Sequence, residues 1–91
     1  MAIPTSSKRV LLRERVYDGV RDALVSGKLK AGDIINEGQL AAEYGMSKTP
    51  VREALCLLSF LDLLSPLPRT GYIVNPITVR DIQEAYQLKR E

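Results

Sequence analysis

The chain has a single cysteine, Cys56, and no histidine. One thiol cannot close an internal disulfide, and without a histidine or a second cysteine no zinc set or nucleophile–base pair can be assembled. Cys56 reads instead as a small helix-packing residue. There is no phosphate-cradling glycine loop and no paired acid and base, so neither an enzyme nor a metal or cofactor is expected. No apolar run approaches the roughly 20 residues of a membrane span. The opening MAIPTSSKRVLLRER lacks the apolar core of a signal peptide, so a cytoplasmic protein with no membrane partner is expected. Repeats and low-complexity tracts are absent as well.

What is present suits one small soluble domain. The 91 residues are 45% hydrophobic and 26% charged, near the size at which a core alone is only marginally stabilising. A formal net charge of +2 is too small to indicate nucleic acid by itself. Its placement says more: Lys8, Arg9 and Arg13 all precede the first acidic residue, Glu14. That basic opening can lie along phosphates, or simply be a solvated leader.

Residues 1–9, with Pro4, Thr5, Ser6 and Ser7, lack periodicity and read as a flexible arm. From Val10 to Ser26 the positions Leu12, Val16, Tyr17, Val20, Ala23 and Leu24 follow helical spacing, with Arg13, Arg15, Asp18, Arg21 and Asp22 largely outside the stripe. Gly27 suits the residue just past that helix, and Ala31-Gly32-Asp33 suits a turn. Ile34 and Ile35 then predict a short extended segment pinning the loop to the core.

The segment Asn36 to Leu61 predicts a helix, a tight turn and a second helix. Asn36 is a good N-cap, Glu37 complements the helix dipole, and Leu40, Ala41 and Tyr44 form an apolar face. Gly45 can take positive φ, Ser47 can cap the next helix, and Pro50 in its first turn lacks only a donor that would have no partner there anyway. Val51, Ala54, Leu55 and Leu58 recur at i, i+3, i+4 and i+7, building a buried stripe. Ser47, Lys48, Thr49 and Arg52 project from the other side, near the N-terminus, where a recognition helix enters the major groove. An ordinary helical hairpin with a solvated polar face is the plainer reading of the pattern.

Leu64 to Leu67 and Tyr72 to Val74 predict a β-hairpin around Arg69-Thr70-Gly71. Pro66 and Pro68 cannot donate to a ladder, which makes the first strand short or an edge. Arg69 at the tip can reach a minor groove or a phosphate, and Gly71 can turn tightly or approach a partner closely. A hairpin that merely closes the core is the alternative. After Pro76, Thr78 can cap a last helix with Val79, Ile82, Ala85, Tyr86 and Leu88 on its apolar face.

The run MSKTPVREAL resembles the recognition-helix signature of the GntR family of bacterial transcription regulators: Ser, then Arg or Lys, then Thr-Pro-Val-Arg-Glu-Ala-Leu. GKLKAGD is similar to that family's connection between its first helices, with Ala31 where proline is usual. PRTGYIV resembles its wing, and ITVRDIQEAYQLKRE the run that begins the effector domain in the FadR-type subfamily. The resemblance covers residues 10 to 91. It implies a mainly α fold with a small β-hairpin, a winged helix-turn-helix with a three-helix core over residues 10–75. A linker over 76–91 would start an all-helical C-terminal domain that is itself absent. It further implies a double-stranded DNA operator as partner, a homodimer in the full-length form, and an effector ligand bound by the missing domain, most often for repression. Lys48 and Arg52 would face base edges or nearby phosphates, Ser47 and Thr49 the backbone, and Arg69, Thr70 and Gly71 the wing-tip contact.

Three features depart from the family pattern. Gly38 stands where many relatives carry a polar or basic DNA contact. Lys48 stands where arginine is commoner, and lysine is a point charge rather than a fork. CLLSFLDLLSPL replaces a charged run, and Asp62 replaces a glycine; Leu57, Phe60 and Leu63 exceed one buried stripe and predict an exposed or partner-covered apolar patch. That excess motivates an alternative, a winged-helix module for protein–protein association.

Overall fold

A computed structural model describes residues 5–69 and 71–90, excluding the side chains of residues 5–9, 79 and 88–90. In chain order the elements are α1 (Thr5–Ser26), β1 (Ile34–Asn36), α2 (Glu37–Tyr44), α3 (Lys48–Phe60), β2 (Leu64–Leu67), β3 (Gly71–Val74) and α4 (Val79–Arg90). The architecture is mainly helical with one small antiparallel sheet, a winged helix-turn-helix.

α1 begins at Thr5 rather than Val10, which corrects the expected arm over residues 5–9. Pro4 is followed by no helix breaker until Gly19, and once a helix is nucleated each further residue adds one hydrogen bond. The side chains of Lys8 and Arg9, and residues 1–4, lie outside the described residues. Gly27 ends α1 at φ +86.

α1 and α3 build the core between them. Val16, Tyr17, Val20 and Leu24 of α1 meet Val51, Ala54, Leu55 and Leu58 of α3, all buried, as the two stripes predict. Ile35, Ala41, Leu64, Tyr72 and Val74 extend the same cluster from the sheet and α2.

Ile34–Asn36 is more than a pin: it pairs with β3 to make the sheet β1-β3-β2, with Ile35 opposite Tyr72 and Asn36 opposite Gly71. β2 pairs with β3 on the other side, Leu64 opposite Val74 and Pro66 opposite Tyr72, so the proline-bearing strand is an edge. The wing's base is tied down by Asn75. Its amide donates to the Asp62 carbonyl at 3.0 Å and its Oδ1 accepts from the Ser65 hydroxyl at 2.8 Å.

The expected apolar patch is largely corrected. Leu63 is only 1% exposed and joins the core, and Leu57 packs against it, because the chain turns back sharply after α3. Asp62 makes that turn at φ +64, the left-handed conformation a glycine would take most readily. Phe60 alone of the three stays open, at 83% exposure. Cys56 is exposed one turn before it, not packed as expected.

α4 is capped reciprocally: the Asp81 N–H donates to Thr78 Oγ1 at 3.2 Å and the Thr78 N–H to Asp81 Oδ2 at 2.9 Å. It docks on α1 through Ala85, which is fully buried, and the Tyr17 hydroxyl donates to the Ala85 carbonyl at 2.7 Å. Arg21, expected on the outer face, is covered instead. Its guanidinium lies 4.0 Å from the centre of the Tyr86 ring and bonds Asp18 and Asp22, leaving 11% of the side chain exposed.

Candidate nucleic-acid interface

The helix-turn-helix is set by its caps. The Asn36 side chain accepts from the Gln39 N–H at 2.9 Å, starting α2 where expected. Gly45, at φ +65, ends α2 while the Met46 N–H returns to the Ala41 carbonyl at 3.0 Å, a closure that only a left-handed residue permits. Three residues later α3 is under way. Ser47 occupies its N-cap position but makes no side-chain cap bond, so the hydroxyl and the first-turn N–H groups at the positive end of the helix stay available to an anion.

Between this helix tip and the wing lies a cleft of about 430 Å³, lined by Asn36, Glu37, Gly38, Lys48, Arg52, Pro66, Leu67, Arg69, Gly71 and Tyr72. Four of the seven residues singled out from sequence therefore meet there: Lys48, Arg52, Arg69 and Gly71. Ser47 and Thr49 are exposed at the helix tip and do not line it. Thr70 lies outside the described residues.

Arg69 takes φ +67 at the wing tip, a left-handed conformation uncommon for a residue other than glycine, and it lines the cleft from the wing side. Gly71 has a structural reason of its own. At φ +141 its missing Cβ would fall on the Ile35 carbonyl oxygen, so glycine is what lets β1 lie against β3. At Gly38 a Cβ would sit 3.3 Å from Oδ1 of the capping Asn36, a tight approach, and 3.5 Å from Lys48 Cε, an ordinary contact with the end of a flexible side chain.

Arg52 is 62% exposed and is not a free cation. Its Nη2 donates to Glu37 Oε1 at 3.2 Å, and its Nε lies 3.3 and 3.4 Å from the two oxygens of that carboxylate. This hydrogen bonding, with the added attraction of the negative charge, raises the guanidinium pKa above its ordinary value. Burial, and then the neighbouring Cys56 and Glu37, push the Tyr72 phenol pKa upward from its ordinary 10.0. Sequence reasoning took Glu37 only as a complement to the α2 dipole. Nothing in a local pattern links it to a residue 15 positions away.

The family profile described as "Bacterial regulatory proteins, gntR family" matches residues 12–74, which run from within α1 to the end of β3. The chain is 36% identical over 73 residues to an uncharacterized HTH-type transcriptional regulator, YdhC, of Bacillus subtilis, covering 80% of this chain and 33% of that protein. It is 37% identical over 75 residues to the gluconate operon transcriptional repressor of the same organism, covering 82% and 30%. The solved structure of E. coli McbR/YncC superposes with a TM-score of 0.69 at 33% identity, over 86% of this chain and 37% of that one. The chain thus spans about a third of the length of the curated relatives it matches. It belongs to the GntR family of bacterial regulatory proteins.

Proposed function

We propose that the chain is the operator-reading part of a transcriptional regulator. The tip of α3 enters a major groove and the wing lies against the flanking minor groove. The observation that carries this reading is the convergence of Lys48, Arg52 and Arg69 on one cleft beside an uncapped helix N-terminus. In it, Arg52 and Lys48 approach base edges and phosphates from α3, Ser47 and Thr49 bind the backbone, and Arg69 with Thr70 reaches the minor groove. Gly71 serves by shaping the wing.

The further features belong to the same proposal. In its full-length form the protein is a homodimeric, metabolite-responsive repressor of the FadR type, with residues 76–91 leading into the helical domain that binds the effector. Support comes from the naming of a relative as a gluconate operon repressor and from the docking of α4 on α1. The rival reading, a module for protein association, retains only Phe60 of its three residues as open surface.

Selecting bound sites from a random duplex pool tests the proposal, since a half-site sequence and its spacing report specificity and symmetry together. Arg52→Ala should lower discrimination at one base pair by roughly 5- to 150-fold. Lys48→Ala should weaken binding to all sequences more evenly. Recovery of no preferred sequence, with affinity insensitive to salt between low and moderate ionic strength, would sink the reading.

A further inference from the structure

We propose that Glu37 is a positioning residue for base recognition: it occupies one edge of the Arg52 guanidinium and so presents the opposite edge to a guanine. The inference rests on the operator-reading role of Arg52 given above.

The guanidinium is planar, with five N–H donors on two usable edges. Glu37 takes the side edge, receiving the Nε and Nη2 donors at 3.2 to 3.4 Å. The end edge, formed by Nη1 and the second Nη2 hydrogen, has no partner among the described residues. Two parallel donors of this kind match O6 and N7 of guanine in the major groove.

An ion pair as exposed as this one adds little to stability, so its consequence is orientation. Glu37 itself is firmly based. It is the first residue of α2, directly after Asn36, which caps the helix and pairs with Gly71 in the sheet; the Glu37 side chain is only 20% exposed. The carboxylate also acts against the competing outcome. A lone arginine beside DNA is drawn to any phosphate, whereas a guanidinium already paired with a carboxylate carries little net charge there and gains more from a two-donor fit to a base. Glu37 thereby exchanges general affinity for sequence discrimination.

The test uses the 91-residue protein and a duplex carrying the half-site that it selects from a random pool. Beside it stand the set of single base-pair replacements and an unrelated duplex. Discrimination at the base pair whose preference is lost in Arg52→Ala is measured in Glu37→Ala and Glu37→Gln, with thermal melting of each variant. Glu37→Ala should lose at least fivefold of that discrimination while its low-salt affinity for the unrelated duplex holds or rises. Glu37→Gln, which keeps an acceptor without the charge, should fall between it and wild type. If Arg52→Ala loses the preference and Glu37→Ala keeps it within twofold of wild type, the inference fails and the reading of Arg52 stands. Unchanged preference in Arg52→Ala removes both. An equal loss of affinity for every duplex in Glu37→Ala, with a lowered melting temperature, would mark Glu37 as a fold residue and overturn the proposal.

Discussion

Consider replacing Gly71 by alanine. At φ +141 an alanine is strained wherever its methyl points, which costs about 1–3 kcal/mol. Here the methyl also points at the Ile35 carbonyl, backbone that cannot swing aside as a side-chain end would. β1 must therefore move off β3, loosening Ile35, which is 6% exposed and whose full burial is worth about 1.5–3 kcal/mol. The combined loss is about 2.5–6 kcal/mol, a large part of the stability of a domain this size. At roughly 4–8 °C per kcal/mol the melting temperature should fall by roughly 10–50 °C. Gly27→Ala is the control, because its φ of +86 is also left-handed but nothing lies within 4 Å of the new methyl. It should cost only about 1–2 kcal/mol. Both are measured by thermal melting and urea titration at one protein concentration. Equal losses in the two variants, or a Gly71→Ala protein that melts within 2–3 °C of wild type (~0.5 kcal/mol), would refute the role given to the Ile35 contact.

Leu63→Ala should destabilise by about 2–5 kcal/mol in urea titration, whereas Phe60→Ser should stay within about 0.5 kcal/mol, because only the first leaves a hole in the core. Asp62→Gly should raise the melting temperature by up to about 8 °C, since the residue already holds φ +64 and glycine removes the side-chain clash there. Tyr17 has its phenol pKa raised above 10.0 by burial, outweighing the opposing pull of Arg21. The folded state therefore favours the neutral form, and that stabilisation is complete below pH 10.0 and lost as pH rises through the folded value. A stability profile between pH 8 and 11 should fall less steeply at its alkaline end for Tyr17→Phe than for wild type. That variant should also lose about 0.5–1.5 kcal/mol at neutral pH with the Ala85 hydrogen bond.

Much of the fold was legible because its determinants are local. The Asn36 cap, Gly45 and the i, i+3, i+4 spacing of Val51, Ala54 and Leu55 each act within one or two turns, and the helices lie where those residues place them. What escaped depends on the chain's return. Leu63 looks surplus on a helical wheel, but it lies past the left-handed turn at Asp62, on a segment that dives into the core. Arg21 looks outward until α4 arrives and lays Tyr86 over it. The cleft divides in the same way. Lys48 and Arg52 follow from helix periodicity, whereas Glu37 joins them only through the angle at which α2 meets α3.

The order β1-β3-β2 also bears on how the protein behaves when crowded. An open sheet edge is a template for another chain, and long flat edges recruit copies into aggregates. Here one edge strand is three residues long, and the other is four residues long, contains Pro66 and is followed by Pro68. Neither offers a run of donors and acceptors long enough to seed a second sheet. Copies of this domain brought side by side are thus poor partners for one another through their strands, whatever holds them there.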